Sequence, residues 1–126
     1  MNENLRQVEL AKETLQVFRD HGEDMKDERH VIHFFYGGNF KALGAALTEL
    51  GYETRQTTDD DGVIAERHEA IGEDWRTSTL THLCELADSY GVEYDGWEAS
   101  MERQQASKPV AKKPNGWLSK TLGKKN

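Results

Sequence analysis

Three segments of the chain repeat apolar residues at intervals of three, four and three positions, and each segment is followed by a glycine. The stripes are Val8, Ala11, Leu15 and Phe18, then Phe40, Leu43, Leu47 and Leu50, and then Leu80, Leu83, Ala87 and Tyr90. This spacing places the apolar side chains on one face of an α-helix, and a following glycine is a common helix end. The sequence therefore predicts amphipathic helices over about residues 3–20, 40–50 and 74–90.

Extended segments alternate with these helices. Residues His30–Tyr36 are β-branched or aromatic and apolar on both faces, which is typical of a central strand. Residues 52–57 and 63–71 read as a hairpin around an Asp-rich turn in which Gly62 could supply a positive φ, and residues 92–95 read as a short last strand. After the first helix the order is βαββαβ, which predicts an α+β, ferredoxin-like sandwich with an extra N-terminal helix.

Charge divides the chain into two parts. Residues 1–103 carry ten basic and 23 acidic side chains, a formal charge of −13, whereas residues 104–126 carry six lysines, both prolines and no acidic residue. We therefore expect one acidic domain over residues 1–103 and a basic C-terminal tail over residues 104–126. The acidic domain disfavours direct contact with nucleic-acid phosphates and favours basic partners.

The histidines and the single cysteine do not form a recognisable catalytic or metal site. His30 and His33 are three positions apart on a strand, so their side chains point to opposite faces and we predict no metal. Cys84 lies beside the apolar stripe of the third helix with Glu85 next to it, which favours a small core residue over a nucleophile. Without a catalytic frame or a cofactor fingerprint, the sequence predicts a protein that is not an enzyme and needs no cofactor.

Two short motifs resemble ligand loops only superficially. Gly37, Gly38 and Asn39 precede a helix but lack the spacing of a phosphate loop. The aspartates at 59–61 lack the twelve-position calcium pattern, so a solvated hairpin tip is the favoured interpretation. The third strand also lacks the aromatic residues of an RNA-recognition motif.

No apolar run is long enough for a membrane span, and the N-terminal residues lack the basic and apolar regions of a signal peptide, so we expect a cytoplasmic protein.

The segment Val92-Glu93-Tyr94-Asp95-Gly96-Trp97 resembles a signature of the regulator of ribonuclease E activity B (RraB) family. Weaker agreement covers the first helix, the His30–Tyr36 strand, the Leu50–Glu53 stretch and the Asp-rich hairpin, so the resemblance spans about residues 5–101. The resemblance implies an acidic ferredoxin-like domain that binds ribonuclease E, lowers its activity without catalysis and so modulates RNA degradation.

The charge and the resemblance together suggest a partner-binding surface for ribonuclease E or another basic protein segment. The expected contact residues are Asp59, Asp60, Asp61, Glu93, Tyr94, Asp95 and Trp97. A structural interpretation stays open for the last segment: Gly96 would permit a tight turn, Trp97 would cap the sheet edge, and Asp95 would bond its own backbone.

The tail departs from the family, because members often carry an acidic C-terminal tail and this one is basic. We expect residues 104–126 to be a disordered, solubilising extension. Two alternatives remain: the tail folds back with Trp117 and Leu118 entering a groove of the domain, or it presents a basic-aromatic motif to RNA, an anionic surface or another protein.

Two other classes of function are compatible with the sequence. A small acidic α+β protein could be an immunity or antitoxin-like neutraliser of a basic toxin. It could also be a small-ligand-binding module that uses an open sheet face, with His33, Phe35 and Tyr52 lining the site.

Overall fold

A computed structural model describes residues 3–57 and 61–101 and the backbone of residues 117–119. Its helices are α1 (Arg6–Asp20), α2 (Phe40–Glu49) and α3 (Thr81–Ser89), the last preceded by a π-helical segment, Trp75–Leu80. Its strands are β1 (Arg29–Tyr36), β2 (Glu53–Gln56), β3 (Gly62–Glu69), β4 (Glu93–Ser100) and β5 (Trp117–Ser119). Within the described residues, no helix is both long enough and apolar enough to span a membrane.

The strands form one sheet in the order β2-β3-β1-β4-β5, and every neighbouring pair is antiparallel. This order confirms the predicted α+β fold and the central position of the His30–Tyr36 strand. The hairpin between β2 and β3 is closed by a hydrogen bond from the Thr57 backbone nitrogen to the Gly62 carbonyl at 3.1 Å.

One apolar core lies between the sheet and the three helices. It is built from the predicted stripes, with Leu15, Leu43 and Leu83 among the fully or almost fully buried residues, and from alternate residues of the strands. Because all three helices contribute to this single cluster, they lie on the same side of the sheet. The opposite face of the sheet is covered by no helix in the part of the chain that the structure describes.

Gly62 is required for packing rather than for a positive φ. The glycines with positive φ among the described residues are Gly22, Gly37, Gly38, Gly51, Gly91 and Gly96. Gly62 is not one of them, so the prediction of its turn geometry was wrong. A Cβ at Gly62 would lie 2.5 Å from the Phe35 carbonyl oxygen and 2.5 Å from the Tyr36 ring, which crosses over this position. Only glycine leaves room for the aromatic ring here.

The last domain strand is longer than predicted. The expectation of a strand that stops at residue 95 before a tight turn at Gly96 was wrong, because β4 runs from Glu93 to Ser100. Its register against β1 shifts between Phe34 and Phe35, and Gly96 has φ 123° at this irregularity. A β-bulge of this kind absorbs one extra residue and lets the strand continue.

The buried Arg29 side chain ties the start of β1 to the preceding connection and to the end of β4. The side chains of Arg29 and Glu23 are 0% and 1% exposed, and their charged atoms are 2.6 Å apart. The Arg29 guanidinium also donates to the carbonyls of Asp24, at 2.9 Å, and Ser100, at 3.2 Å. Burying this charge is tolerable only because it has these partners.

Candidate protein-binding face

The sheet face opposite the helices carries a row of partly exposed apolar side chains. Along β1, buried and partly exposed residues alternate, and the partly exposed set includes Ile32, Phe34 and Tyr36. Phe34 lies directly opposite Ile64 of β3, so these two side chains share the same face. None of the four packs against the main core. We call this surface, with the charged residues described next, the open sheet face.

Carboxylates frame this apolar row. Glu66 and Glu98 lie opposite Ile32 on the two neighbouring strands, and Glu93 lies opposite Tyr36. Glu53 lies opposite Glu66 at the far edge. Among the described residues, Arg55 is the only lysine or arginine that the register places on this face. These residues therefore carry four carboxylates against one guanidinium, a formal charge of −3 with histidines neutral.

Among the described residues, Glu66 is the one of these four carboxylates that contacts basic side chains. Its side-chain oxygens lie 2.8 Å from Nε2 of His30 and 3.2 Å from the Arg55 guanidinium, and the His30 ring stacks on His68 at 5.5 Å. Glu53, Glu93 and Glu98 form no ion pair with another described residue. Glu53 and Glu93 are exposed, and Glu98 is partly exposed.

The helix side of the same strands carries a buried polar cluster. His33 is fully buried, and its ring nitrogens share hydrogen bonds with the Tyr94 hydroxyl at 2.8 Å and the Glu69 carboxylate at 3.1 Å. The Trp75 indole donates to the other oxygen of Glu69, and its ring packs edge to face on Trp97 with centroids 5.0 Å apart. This cluster joins β1, β3, β4 and the π-helical segment through polar contacts.

The ionisation of this cluster follows from its surroundings. Burial raises the pKa of Glu69, but hydrogen bonds from the His33 ring and the Trp75 indole, with the charge of Arg67, outweigh burial and hold the pKa below its usual value of 4.5. Burial raises the pKa of Tyr94 well above its usual value. Glu69 is therefore an ionised acceptor and Tyr94 a neutral hydroxyl, which suits a structural network.

Cys84 lies in the core, as predicted. Its side chain is buried, and burial, with the nearby charge of Glu85, raises the pKa of the thiol to about 12. A thiol is nucleophilic only as the thiolate, so this cysteine is inert at neutral pH. Within the described ranges no group of three or more potential ligands is placed to hold a metal ion.

The residues predicted to line a small-ligand site do not lie on the open sheet face. His33 and Phe35 are fully buried and Tyr52 is 4% exposed, because these side chains point towards the helices. Tyr52 instead contributes to a cavity of about 350 Å³ on the helix side, beside Arg67, whose guanidinium lies 4.0 Å from the Tyr52 ring centroid. The expected ligand-binding use of the open face by these three residues was wrong.

The predicted partner-binding residues fall into three groups: those outside the described residues, those that are exposed and those that are buried. Asp59 and Asp60 lie outside the described residues. Asp61 and Glu93 are exposed, as a contact residue must be, and the Asp61 carbonyl accepts a hydrogen bond from the Gly37 nitrogen at 2.7 Å. Direct contact of these two with a partner stays a prediction.

The other three predicted contact residues are buried. Tyr94 is 2% exposed, Asp95 7% and Trp97 0%. Their expected position on the surface was wrong, and so was the alternative in which Trp97 caps the sheet edge. The cause is the bulge at Gly96, which keeps this segment within the sheet and turns Trp97 into the core.

Glu98, Glu53 and the apolar row were not among the candidate site residues predicted from the sequence. Residues 30–36 are apolar on both faces of the strand, so the sequence did not show which face the helices cover. Glu98 and Ser100 alternate with Trp97 and Ala99, a signal that would have extended the last strand had Gly96 not been taken as a stop.

The chain was compared with known proteins. The family model described as regulator of ribonuclease activity B matches residues 9–99. This match begins within α1, ends one residue before the end of β4, and contains every helix and strand between them. No curated protein matches the chain.

Proposed function

Because the chain belongs to the family of regulators of ribonuclease activity B, we propose that it regulates ribonuclease E by binding rather than by catalysis. The open sheet face binds a basic, arginine-rich segment of that enzyme. The observation that carries the proposal is the row of partly exposed apolar residues framed by Glu53, Glu93 and Glu98, which have no recorded ion pair among the described residues.

The chemistry of this face selects a basic protein segment over RNA. Phe34 and Tyr36 could stack on nucleic-acid bases, as aromatic residues of open sheets do in RNA-binding domains. The surrounding carboxylates would, however, repel the phosphates that supply most of the affinity in such complexes. A peptide with arginine and apolar side chains meets both parts of the surface, since a guanidinium pairs well with carboxylates and packs on aromatic rings.

The mechanism is occupancy. A segment held against the open sheet face is not free to bind RNA or other protein partners. Charge complementarity mainly raises the rate of encounter and weakens with salt, whereas the apolar row slows dissociation. An immunity-like role towards a basic toxin would use the same face, but the family membership favours ribonuclease E.

The first test compares two triple variants with the same change in net charge. Glu53/Glu93/Glu98→Gln removes the three carboxylates of the open sheet face that form no ion pair with another described residue. Glu13/Glu49/Glu85→Gln removes three exposed carboxylates on the helices. Affinity for a fluorescent arginine-rich peptide from the non-catalytic region of ribonuclease E is measured by anisotropy at several salt concentrations.

We expect the face variant to lose affinity about threefold or more, with a weaker salt dependence, and the helix variant to change little. Equal losses for the two variants would mean that net charge alone attracts the peptide, and the proposed face would be wrong. An Asp59/Asp60/Asp61→Asn variant tests the hairpin separately, and unchanged affinity would exclude the hairpin from the interface.

The second test measures function directly. Cleavage of an RNA substrate by full-length ribonuclease E is followed with and without the protein, and again with ribonuclease E that lacks its arginine-rich region. The proposal expects slower cleavage only with the full-length enzyme. Equal inhibition of both enzymes would place the contact on the catalytic part and overturn this mechanism.

A further inference from the structure

The outer edge of β4 is occupied by the chain at both of its ends. At the first end, the Asn4 side chain donates to the Val92 carbonyl at 2.9 Å and accepts from the Tyr94 nitrogen at 3.0 Å, so that its amide takes the place of a neighbouring strand. At the other end, the backbone of β5 pairs with Glu98–Ser100. Different parts of the chain therefore close the edge at its two ends.

The pairing of β5 is short, and its charge differs from that of the strand it joins. Three residue pairs form it: Glu98 with Ser119, Ala99 with Leu118 and Ser100 with Trp117. Fifteen residues, 102–116, connect the described part of the domain to this strand, and all six lysines of the tail lie between residues 108 and 125. The edge next to the open sheet face thus holds an extended segment from a strongly basic stretch.

We propose that the Glu98–Ser100 edge of β4 is a strand-addition site for a basic, extended peptide, and that Trp117–Ser119 occupies it as an internal competitor. This inference rests on the proposed function, because the peptide is the same basic segment of the partner. Main-chain pairing supplies the affinity of such added strands, and side chains at alternate positions supply the specificity. One face of the added strand would continue the open sheet face, where Glu98 lies.

The internal strand must be weak enough to be displaced. A tethered segment competes at an effective concentration of about millimolar, but a strand of three residues is marginal by itself. The affinity for an external peptide is multiplied by the fraction of molecules with a vacant edge, so occupancy by the internal strand weakens it. If the internal strand is docked in about nine molecules of ten, its removal raises the measured affinity about tenfold.

Leu118→Pro separates strand pairing from tail charge. Proline at the middle of the three residues removes a backbone donor and is poorly tolerated in a paired strand, while all six lysines stay in place. Ala111→Pro puts the same residue into the connecting segment and serves as the matched control. Both variants keep the full chain, so neither requires the domain to fold without its tail.

Two measurements are made on the wild type and both variants. Hydrogen exchange at the Glu98–Ser100 amides is measured for the protein alone. Affinity is measured for the arginine-rich peptide. The proposal expects faster exchange and several-fold tighter binding in Leu118→Pro, and neither change in Ala111→Pro.

Each of the other outcomes contradicts a specific part of the proposal. Faster exchange with unchanged affinity would mean that β5 docks without competing. Weaker binding in Leu118→Pro would mean that the tail assists the partner, and unchanged exchange would mean that β5 does not protect this edge. If no form of the protein binds the peptide, the proposed function itself fails, a result that differs from equal binding by all three forms.

Discussion

Replacement of Gly38 by alanine should destabilise the domain much more than the same replacement at Gly37. Both glycines have positive φ, 78° at Gly37 and 50° at Gly38, so alanine pays a conformational cost at either position. A Cβ at Gly37 meets nothing within 4 Å. At Gly38 it would overlap the Gly91 carbonyl oxygen and would lie 2.5 Å from the carbonyl carbon and 3.0 Å from the Tyr90 oxygen.

The magnitude follows from these two terms. The left-handed conformation costs an alanine about 1–2 kcal/mol, and this applies to both variants. The overlap at Gly38 is with backbone, which cannot rotate away as a side chain could, and overpacking of this kind costs a further 1–3 kcal/mol or so. We therefore expect Gly38→Ala to lower the free energy of unfolding by about 2–5 kcal/mol and Gly37→Ala by about 1–2 kcal/mol.

The assay is urea unfolding followed by the fluorescence of the buried Trp75 and Trp97. The difference between the two variants isolates the contact, because both share the conformational cost. This contact joins the turn after β1 to the turn that starts β4, where the Asn39 nitrogen also donates to the Tyr90 carbonyl at 3.1 Å. Equal destabilisation by the two variants would refute the claim that these turns are packed backbone to backbone.

Three further predictions concern buried polar groups. Because the pKa of Glu69 lies below 4.5, its ionisation contributes stability that is complete above that pH and is lost as the pH falls through the lowered value. Glu69→Gln should therefore flatten the fall of Tm on acidification below about pH 4.5. An unchanged dependence of Tm on pH would contradict this prediction. Glu23→Gln leaves the Arg29 charge buried and should cost about 3–5 kcal/mol in chemical unfolding, whereas Glu28→Gln, at an exposed position in the same connection, should change little. Iodoacetamide should label Cys84 only as fast as the domain unfolds, and rapid labelling of the native protein would show that this thiol is accessible.

The helices and the order of the elements were predictable because their signals are local. An apolar stripe at intervals of three, four and three residues fixes both the type of element and its buried face, so Leu15, Leu43 and Leu83 were assigned to the core from spacing alone. The glycines after the stripes, such as Gly51 with φ 102°, then marked the helix ends. From the order βαββαβ the sheet topology followed.

The position of the site was not predictable in the same way. Gly96 has the sequence context of a turn, and only pairing with β1, about sixty positions earlier in the chain, shows that it belongs to a bulge inside a strand. This error moved Trp97 from the core to the surface. Likewise, Phe34 and Phe35 are equally apolar, and only the placement of the helices decides which of them is left partly exposed. Contacts distant in sequence determined both outcomes.

The π-helical segment before α3 sets the angle around the helix axis between two buried side chains. Trp75 and Leu80 are both in the core although they are five residues apart. An α-helix turns about 100° per residue, so five residues would leave the two side chains about 140° apart, whereas four residues would leave them about 40° apart. Loss of one residue from Thr77–Thr79 would therefore let an ordinary α-helix bury the same pair. We therefore expect the domain to tolerate the loss of one residue in this stretch without a change in its core.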